Sequence, residues 1–376
     1  MSPRLVDSYT YSDILEAYLE CSRRKRNTIT AISFGVRFEE KLDKLLNEIN
    51  SNTYQIGPSR GFVVYYPKVR EVWAAQFRDR IVHHLVCRDL APFYLSRFIN
   101  TNCACIKGRG TLYASEYLNK FCRQATENWN KPAWALQFDI KNFFVSINRN
   151  ILWEILAKDI GETSLTSRLL KQIIYHNPTN NCIVKPGTDF SVVPKHKSLW
   201  NAPKDCGLPI GDLTSQLCAS GVYLDGLDKF IKHVLKCRWY VRYVDDGVLL
   251  SHDRIQLIEW RDRIDEWLNV NRRLSLSPSK TKIKPASAGI NFVGSYILPF
   301  RVYPRQMTTD RALDAARNLH KNPFENTCLA AVNSYLGMMR NNNSFKLRSK
   351  ICHIAQIPFI LEHDKNYTKT YRVFNI

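Results

Sequence analysis

The chain is 376 residues long, 45% hydrophobic and 23% charged, an ordinary balance for a folded protein that excludes wholesale disorder. Its net charge of +20 repels itself unless a polyanion neutralises it, so nucleic acid is the leading partner and an acidic membrane surface the competitor. No apolar run approaches the roughly 20 residues of a membrane span, and Met1-Ser2-Pro3-Arg4 opens no secretory signal, so a cytoplasmic protein without membrane contact is expected.

In chain order, residues 12–50 read as two helices, with Ser12-Asp13 as an N-cap and the basic run Arg23-Arg24-Lys25-Arg26 between them. Gly61 to Tyr66 reads as a strand ended by Pro67, with Glu71-Val72-Trp73 as its partner and Lys68 and Arg70 near the turn. A helix fits Phe77 to about Leu90, ahead of Pro92, with Arg78 near its start. Lys107-Gly108-Arg109-Gly110-Thr111 is a Gly-rich basic turn that opens another helix and is shaped to contact a nucleic-acid backbone. Of the eleven cysteines, Cys87, Cys122, Cys218 and Cys237 stand in apolar or helical contexts, and Cys103-Ala104-Cys105 has no second pair at zinc spacing. Reduced thiols are therefore expected.

Ala133 to Phe138 reads as a buried strand with Asp139 at its C-terminal end, followed by helical patterns to about Tyr175. Residues 176–206 lose periodicity and form a long irregular insertion, a kind of loop that is usually functional. Thr214 to Lys232 returns to helix, and Trp239 to Leu250 is a hairpin broken by Asp245-Asp246. Ile255 to Val270 is helical, Ile290 to Ile297 reads as one strand, and from about Thr308 three helical segments run to the C-terminus.

Two adjacent carboxylates at the tip of an apolar hairpin repel each other, and a divalent cation removes that cost. Taken alone, Asp245-Asp246 reads equally well as an Asp-containing turn. Asp139, at the end of a separate buried strand, decides between the two. Two-metal phosphoryl chemistry needs bridging ligands from different strands for ions about 4 Å apart, and a strand, helix, hairpin order fits a split βαβ sheet that would supply them.

The pattern resembles the palm of reverse transcriptases. Motif A of that family is an Asp followed five positions later by an aromatic residue, here Asp139 and Phe144 with Asn142 and Phe143 between them. The family's Pro-Gln-Gly motif B resembles Leu208 to Gln216, with Ile210 where Gln is usual, then Gly211, Ser215 and Gln216. Motif C resembles Tyr243-Val244-Asp245-Asp246, followed by Gly247 where a larger residue is more frequent, a change that loosens the hairpin but removes no ligand. Lys280-Thr281-Lys282 resembles motif D, and Asn291 to Tyr296, with Phe292, Val293 and Gly294, resembles a primer grip.

The resemblance implies an α+β right-hand polymerase with fingers, a ferredoxin-like palm and a helical thumb. It divides the chain into an N-terminal extension and fingers (1–132), palm (133–147), finger helices and insertion (148–206), palm (207–300) and thumb (301–376). It implies two Mg²⁺ ions, replaceable by Mn²⁺, held by Asp139, Asp245, Asp246 and the Ile140 carbonyl. Nucleotide contacts would fall to Lys68, Arg70, Asn142, Phe143, Phe144, Ile210 and Gly211, with Phe144 excluding a 2′-hydroxyl. Template and primer contacts would fall to Arg78, Lys107, Arg109, Ser215, Gln216, Lys280, Lys282, Phe292, Val293 and Gly294. The implied partners are template RNA, an RNA/DNA hybrid and dNTPs.

A narrower likeness is to the reverse transcriptases of diversity-generating retroelements. It rests on Leu208 to Gln216, on Lys197-Ser198-Leu199-Trp200 in the insertion, and on Asn333 to Gly337 with Ser344 to Arg348 near the C-terminus. It implies copying of a template-repeat RNA with misincorporation opposite adenine, beside a small basic accessory protein. Group II intron, retron or phage-defence polymerases are rivals, and a non-catalytic nucleic-acid-binding protein is the reading from a different class.

Overall fold

The computed structural model describes residues 2–23, 25–66 and 68–373, so Arg24 of the basic run and the strand-ending Pro67 lie outside the described residues. The chain divides into two units, residues 1–108, 138–236 and 259–281 forming the first and 109–137, 237–258 and 282–376 the second.

The first unit begins with three helices where two were expected: α1 (Tyr11–Ser22), α2 (Ile29–Gly35) and α3 (Phe38–Asn50). The cap of α1 is Thr10 and not Ser12. Thr10 Oγ1 accepts from the Asp13 N–H, and Asp13 Oδ2 accepts from the Thr10 N–H at 3.0 Å, a reciprocal capping box. β1 (Ser59–Val64) and β2 (Arg70–Ala74) pair antiparallel as expected, Phe62 opposite Val72. α4 (Phe77–Arg97) runs through Pro92 instead of stopping before it. The lost backbone bond is outweighed by burial on both sides of the proline, of Val86, Leu90 and Tyr94.

Next in this unit come α6 (Phe143–Ser146), α7 (Arg149–Ile160) and α8 (Leu165–Tyr175). Asn148 and Ser164 cap α7 and α8 through their side chains, and Gly161, at φ 63°, stops α7. The insertion is more ordered than its composition suggests. It contributes β4 (Cys182–Val184), parallel to β1, and three short 3₁₀ turns. α9 (Leu213–Ser215) continues through π-helical turns at Gln216–Tyr223 into α10 (Leu224–Lys229) and a last π turn at Phe230–Val234.

In the second unit α5 (Thr111–Ala125) precedes a four-stranded sheet of β3 (Trp134–Asp139), β5 (Trp239–Tyr243), β6 (Asp246–Ser251) and β7 (Lys282–Pro285), ordered β5-β6-β3-β7. β5 with β6, and β3 with β7, are antiparallel. With α11 (Arg254–Arg272) between β6 and β7 in the chain, this is the split βαβ order of a ferredoxin-like palm. Phe138 and Asp139, the last residues of β3, are counted in the first unit.

The expected single strand at 290–297 is a hairpin, β8 (Ile290–Phe292) and β9 (Ser295–Leu298), extended by β10 (Arg301–Pro304). Val293 at φ 43° and Gly294 at φ 91° make its two-residue turn, a position for which the glycine is suited. Helices α12 (Gln306–Lys321), α13 (Asn326–Met339) and α14 (Phe345–Ala355) close on a core that includes Leu319, Val332, Leu336 and Ile351. They do not run to the C-terminus: β11 (Leu361–His363) and β12 (Thr370–Arg372) follow as a small hairpin. All eleven cysteines are free thiols, and no described helix is long and apolar enough to cross a membrane.

Candidate active site

The β5–β6 ladder runs unbroken from Trp239 opposite Leu250 to Tyr243 opposite Asp246, so Gly247 does not loosen it. Val244 and Asp245 form the turn. A β-branched residue at φ 56° is an outlier, costing on the order of 1–3 kcal/mol. Arg242 restrains it: this wholly buried guanidinium donates from Nη1 to the Val244 carbonyl at 2.7 Å. Below the tip, Tyr240, Val241 and Val248 to Leu250 are buried, whereas Asp245 is half-buried and Asp246 exposed. Apolar strands thus anchor a pair of acids at a constrained tip.

Asp139 is only 7% exposed. Its carbonyl accepts from the Ser277 N–H at 2.8 Å, fixing the backbone, and Ile140 bridges to Leu276. Its carboxylate is met by Lys280, whose Nζ lies 2.6 Å from Oδ2. Lys280 is therefore the counter-ion of Asp139 in this structure. Carboxylate oxygens are hard donors of the kind that Mg²⁺ prefers. Among the described residues no group of three or more His, Cys, Asp or Glu is assembled into a metal cage.

The segment after Asp139 is tied to the motif B loop. Leu208 N–H donates to the Phe144 carbonyl at 2.9 Å, and Gly207 N–H to the Ile147 carbonyl at 2.8 Å. Asn142 adopts φ 49° at the start of α6, Phe143 is buried and Phe144 is half-buried. Beyond the loop, the Trp73 N–H of β2 donates to the Ile210 carbonyl at 3.1 Å. A Cβ on Gly211, at φ 133°, would lie 3.0 Å from the Trp73 carbonyl, so this position favours glycine. The structure thereby brings Phe144, Ile210 and Gly211 together beside β2, with Ile210 half-exposed.

Two buried groups that the sequence reading passed over stand behind this loop. His83 Nδ1 lies 2.8 Å from Thr214 Oγ1, and burial pushes its pKa down to about 4. Asp212 is pushed up to about 6 by burial, against the Ala75 N–H. Ser215 is buried and Gln216 exposed.

Lys68 and Arg70 are exposed on either side of the start of β2. Arg78 is engaged by Glu48 at 2.5 Å and lies over the Tyr54 ring. It shares with Lys44, Arg60 and Arg80 the lining of a groove of about 680 Å³, whose walls include Phe34 and Phe77. Lys107 is exposed, and Arg109 lies over the Tyr113 ring at 5.8 Å. In the second unit Lys282 is exposed opposite Gln137, Phe292 is buried, and Val293 and Gly294 form the tip of the β8–β9 turn.

The reverse transcriptase (RNA-dependent DNA polymerase) family profile matches residues 67–297, more than half of the chain. The chain belongs to this family and has its right-hand polymerase fold. Among solved structures it is similar to apo telomerase from Candida tropicalis, at 14% identity and a TM-score of 0.49, covering 80% of this chain and 57% of that one. A second similar structure is telomerase from Candida albicans with a TWJ fragment of telomeric RNA, at 12% identity and a TM-score of 0.43, covering 85% of this chain and 63% of that one. The chain thus spans about three fifths of the telomerase chains that it matches. No curated protein matches the sequence.

Proposed function

We propose that this chain copies RNA into DNA by attack of a primer 3′-hydroxyl on the α-phosphate of a dNTP. Asp139, Asp245 and Asp246, with the Ile140 carbonyl, are the metal ligands in this reading. The observation that carries it is the reverse transcriptase family match over residues 67–297, which spans all three aspartates. When bound, two Mg²⁺ ions supply activation of the attacking hydroxyl and neutralisation of the leaving pyrophosphate. The protein's part is positioning and charge. Exposed Lys68 and Arg70 meet the β- and γ-phosphates, and half-buried Phe144 lies beneath the sugar.

The fingers, palm and thumb boundaries follow the sequence division given above. In this reading the cations of the fingers groove, with Lys107, Arg109, Lys280 and Lys282, serve template RNA and the RNA/DNA hybrid, and Ser215, Gln216, Phe292, Val293 and Gly294 are further template and primer contacts. The test is primer extension on an RNA template with Mg²⁺ or Mn²⁺. The double variant Asp245→Ala, Asp246→Ala should lose synthesis while keeping its unfolding transition. Synthesis that survives in that variant would remove these residues as ligands.

We further propose that the enzyme belongs to a diversity-generating retroelement and works in the cytoplasm with a small basic accessory protein, misincorporating opposite template adenine. Leu208 to Gln216 and Lys197 to Trp200 support this reading, as does Ile210, which offers no side-chain hydrogen bond at the half-exposed position beside Gly211. Sequencing cDNA copied from a mixed RNA template tests it. Errors spread evenly over all four template bases would favour an intron, retron or defence polymerase.

A further inference from the structure

Glu71 points inward from β2 and is 3% exposed. A buried carboxylate is costly unless hydrogen bonds satisfy it. Both of its oxygens are met by the insertion: Oε2 accepts from Ser198 Oγ at 2.7 Å, and Oε1 accepts from the Leu199 N–H. Ser198 and Leu199 are themselves buried. Two residues along the same strand, Trp73 is wholly buried, with Phe190 of the insertion stacked on its ring at 5.4 Å and 12°. Trp200 meets that ring edge-on, also at 5.4 Å. A Cβ on Gly61 would lie 2.6 Å from Trp73 and 3.1 Å from Phe190, so β1 leaves room for this stack.

The other side of the same strand faces the motif B loop. The Trp73 N–H holds the Ile210 carbonyl, the Trp73 carbonyl abuts Gly211, and the Ala75 N–H faces Asp212. Leu199 closes the circuit, since a Cβ on Gly207 would lie 2.5 Å from Leu199 Cδ2. Residues 190–200 and 207–212 therefore both grip one strand, the first through its side chains and the second through its main chain.

We propose that the insertion is a brace for nucleotide selection: Glu71, Ser198, Phe190 and Trp200 set the position of the Ile210–Gly211 backbone through Trp73. They are positioning residues and touch no substrate. The buried carboxylate makes the brace specific. An apolar residue at 71 would leave the Ser198 hydroxyl and the Leu199 N–H without their acceptor, whereas Gln keeps one acceptor oxygen and the shape. The kinetic consequence rests on the polymerase reading above; the structural one does not.

The experiment uses the full chain and the variants Phe190→Ala, Ser198→Ala and Glu71→Ala, with Ser198→Thr and Glu71→Gln as conservative partners. Amide hydrogen exchange should rise about tenfold or more across residues 208–213 in the Ala variants, with the β5–β6 peptides unchanged. Primer extension should show KM for dNTP raised severalfold and an altered error spectrum at nearly constant kcat. Thr at 198 should restore both readouts, and Gln at 71 should restore them in part. Unchanged protection of 208–213 in cooperatively folded Ala variants would overturn the brace. So would loosened exchange with wild-type KM and error spectrum, or a uniform fall in kcat with none of the selectivity moved. If wild type itself fails to extend a primer, the polymerase reading falls, and the exchange data alone decide whether the insertion holds the loop.

Discussion

Asp212→Asn should stabilise the protein at neutral pH, because the carboxyl at 212 is held where ionisation is unfavourable. Burial raises its pKa from 3.8 to about 6, while the Ala75 N–H, Arg80 and His176 only partly offset that cost. The sign follows from proton binding. Between those two values the folded state keeps a proton that the unfolded state has released, so the contribution of Asp212 is fully favourable below about pH 4 and is lost as pH rises through about 6. A difference of this size corresponds to about 3 kcal/mol once the group is ionised. Asn has the same shape, accepts from the Ala75 N–H through its carbonyl oxygen and carries no charge. The variant should therefore exceed wild type by about 1–3 kcal/mol at pH 8, and the two should converge toward pH 4. His83 works in the opposite sense. Its folded pKa lies below the ordinary 6.5, so its contribution to stability is gained as pH rises from about 4 to 6.5 and steepens the acid limb of both proteins alike. Urea denaturation at intervals from pH 4 to 8, read as the difference between the two proteins, isolates residue 212. A difference that does not change with pH would refute the reasoning.

Three further outcomes can be checked. Phe144→Val should admit ribonucleotides, because the half-buried ring is removed beneath the proposed sugar position; single-nucleotide extension with rNTPs measures this. Ile210→Gln should lower misincorporation opposite template adenine while sparing overall synthesis, since a discriminating hydrogen bond of about 1 kcal/mol changes selectivity severalfold; cDNA sequencing gives the answer. RNA affinity should fall steeply with salt, by roughly 10³–10⁵ between 50 and 200 mM if about 6–10 phosphates are neutralised, and Arg60→Glu in the fingers groove should weaken binding and flatten that slope in a filter-binding titration.

The acids were legible because their context was local. An Asp ending a run of apolar residues, and an Asp pair splitting two such runs, mark strand ends whatever the rest of the chain does; β3 and the β5–β6 hairpin lie where the pattern puts them. Local rules misled where tertiary burial overrode them. Pro92 is carried inside α4 by the packing around it, and the turn at Val293 is hidden because a valine stands at positive φ, where turn chemistry would lead one to expect Asn or Asp. The strands β11 and β12 are three residues each and too short to show alternation. The hold on Glu71 was beyond reach, because its hydrogen-bond partner Ser198 lies 127 positions away. The available signal was the oddity of a Glu beside Val72 and Trp73 in a strand, an inward charge that had to find a partner.

Asp139 and Asp245 are restrained by basic residues in two different ways. Arg242 is wholly buried, and its bond to the Val244 carbonyl acts on the backbone of the turn. Lys280 instead acts on the carboxylate of Asp139 itself, and its side chain is 52% exposed. An ammonium with that much access to water is readily hydrated, so the contact chiefly spares Asp139 the cost of standing unpaired. The Asp139 backbone does not depend on it, because the Ser277 N–H holds the carbonyl separately. Asp139 is thus fixed through its main chain independently of its side-chain partner. A carboxylate 7% exposed would be expensive to leave unpaired. A half-exposed lysine covers the acid while its own charge stays in contact with water.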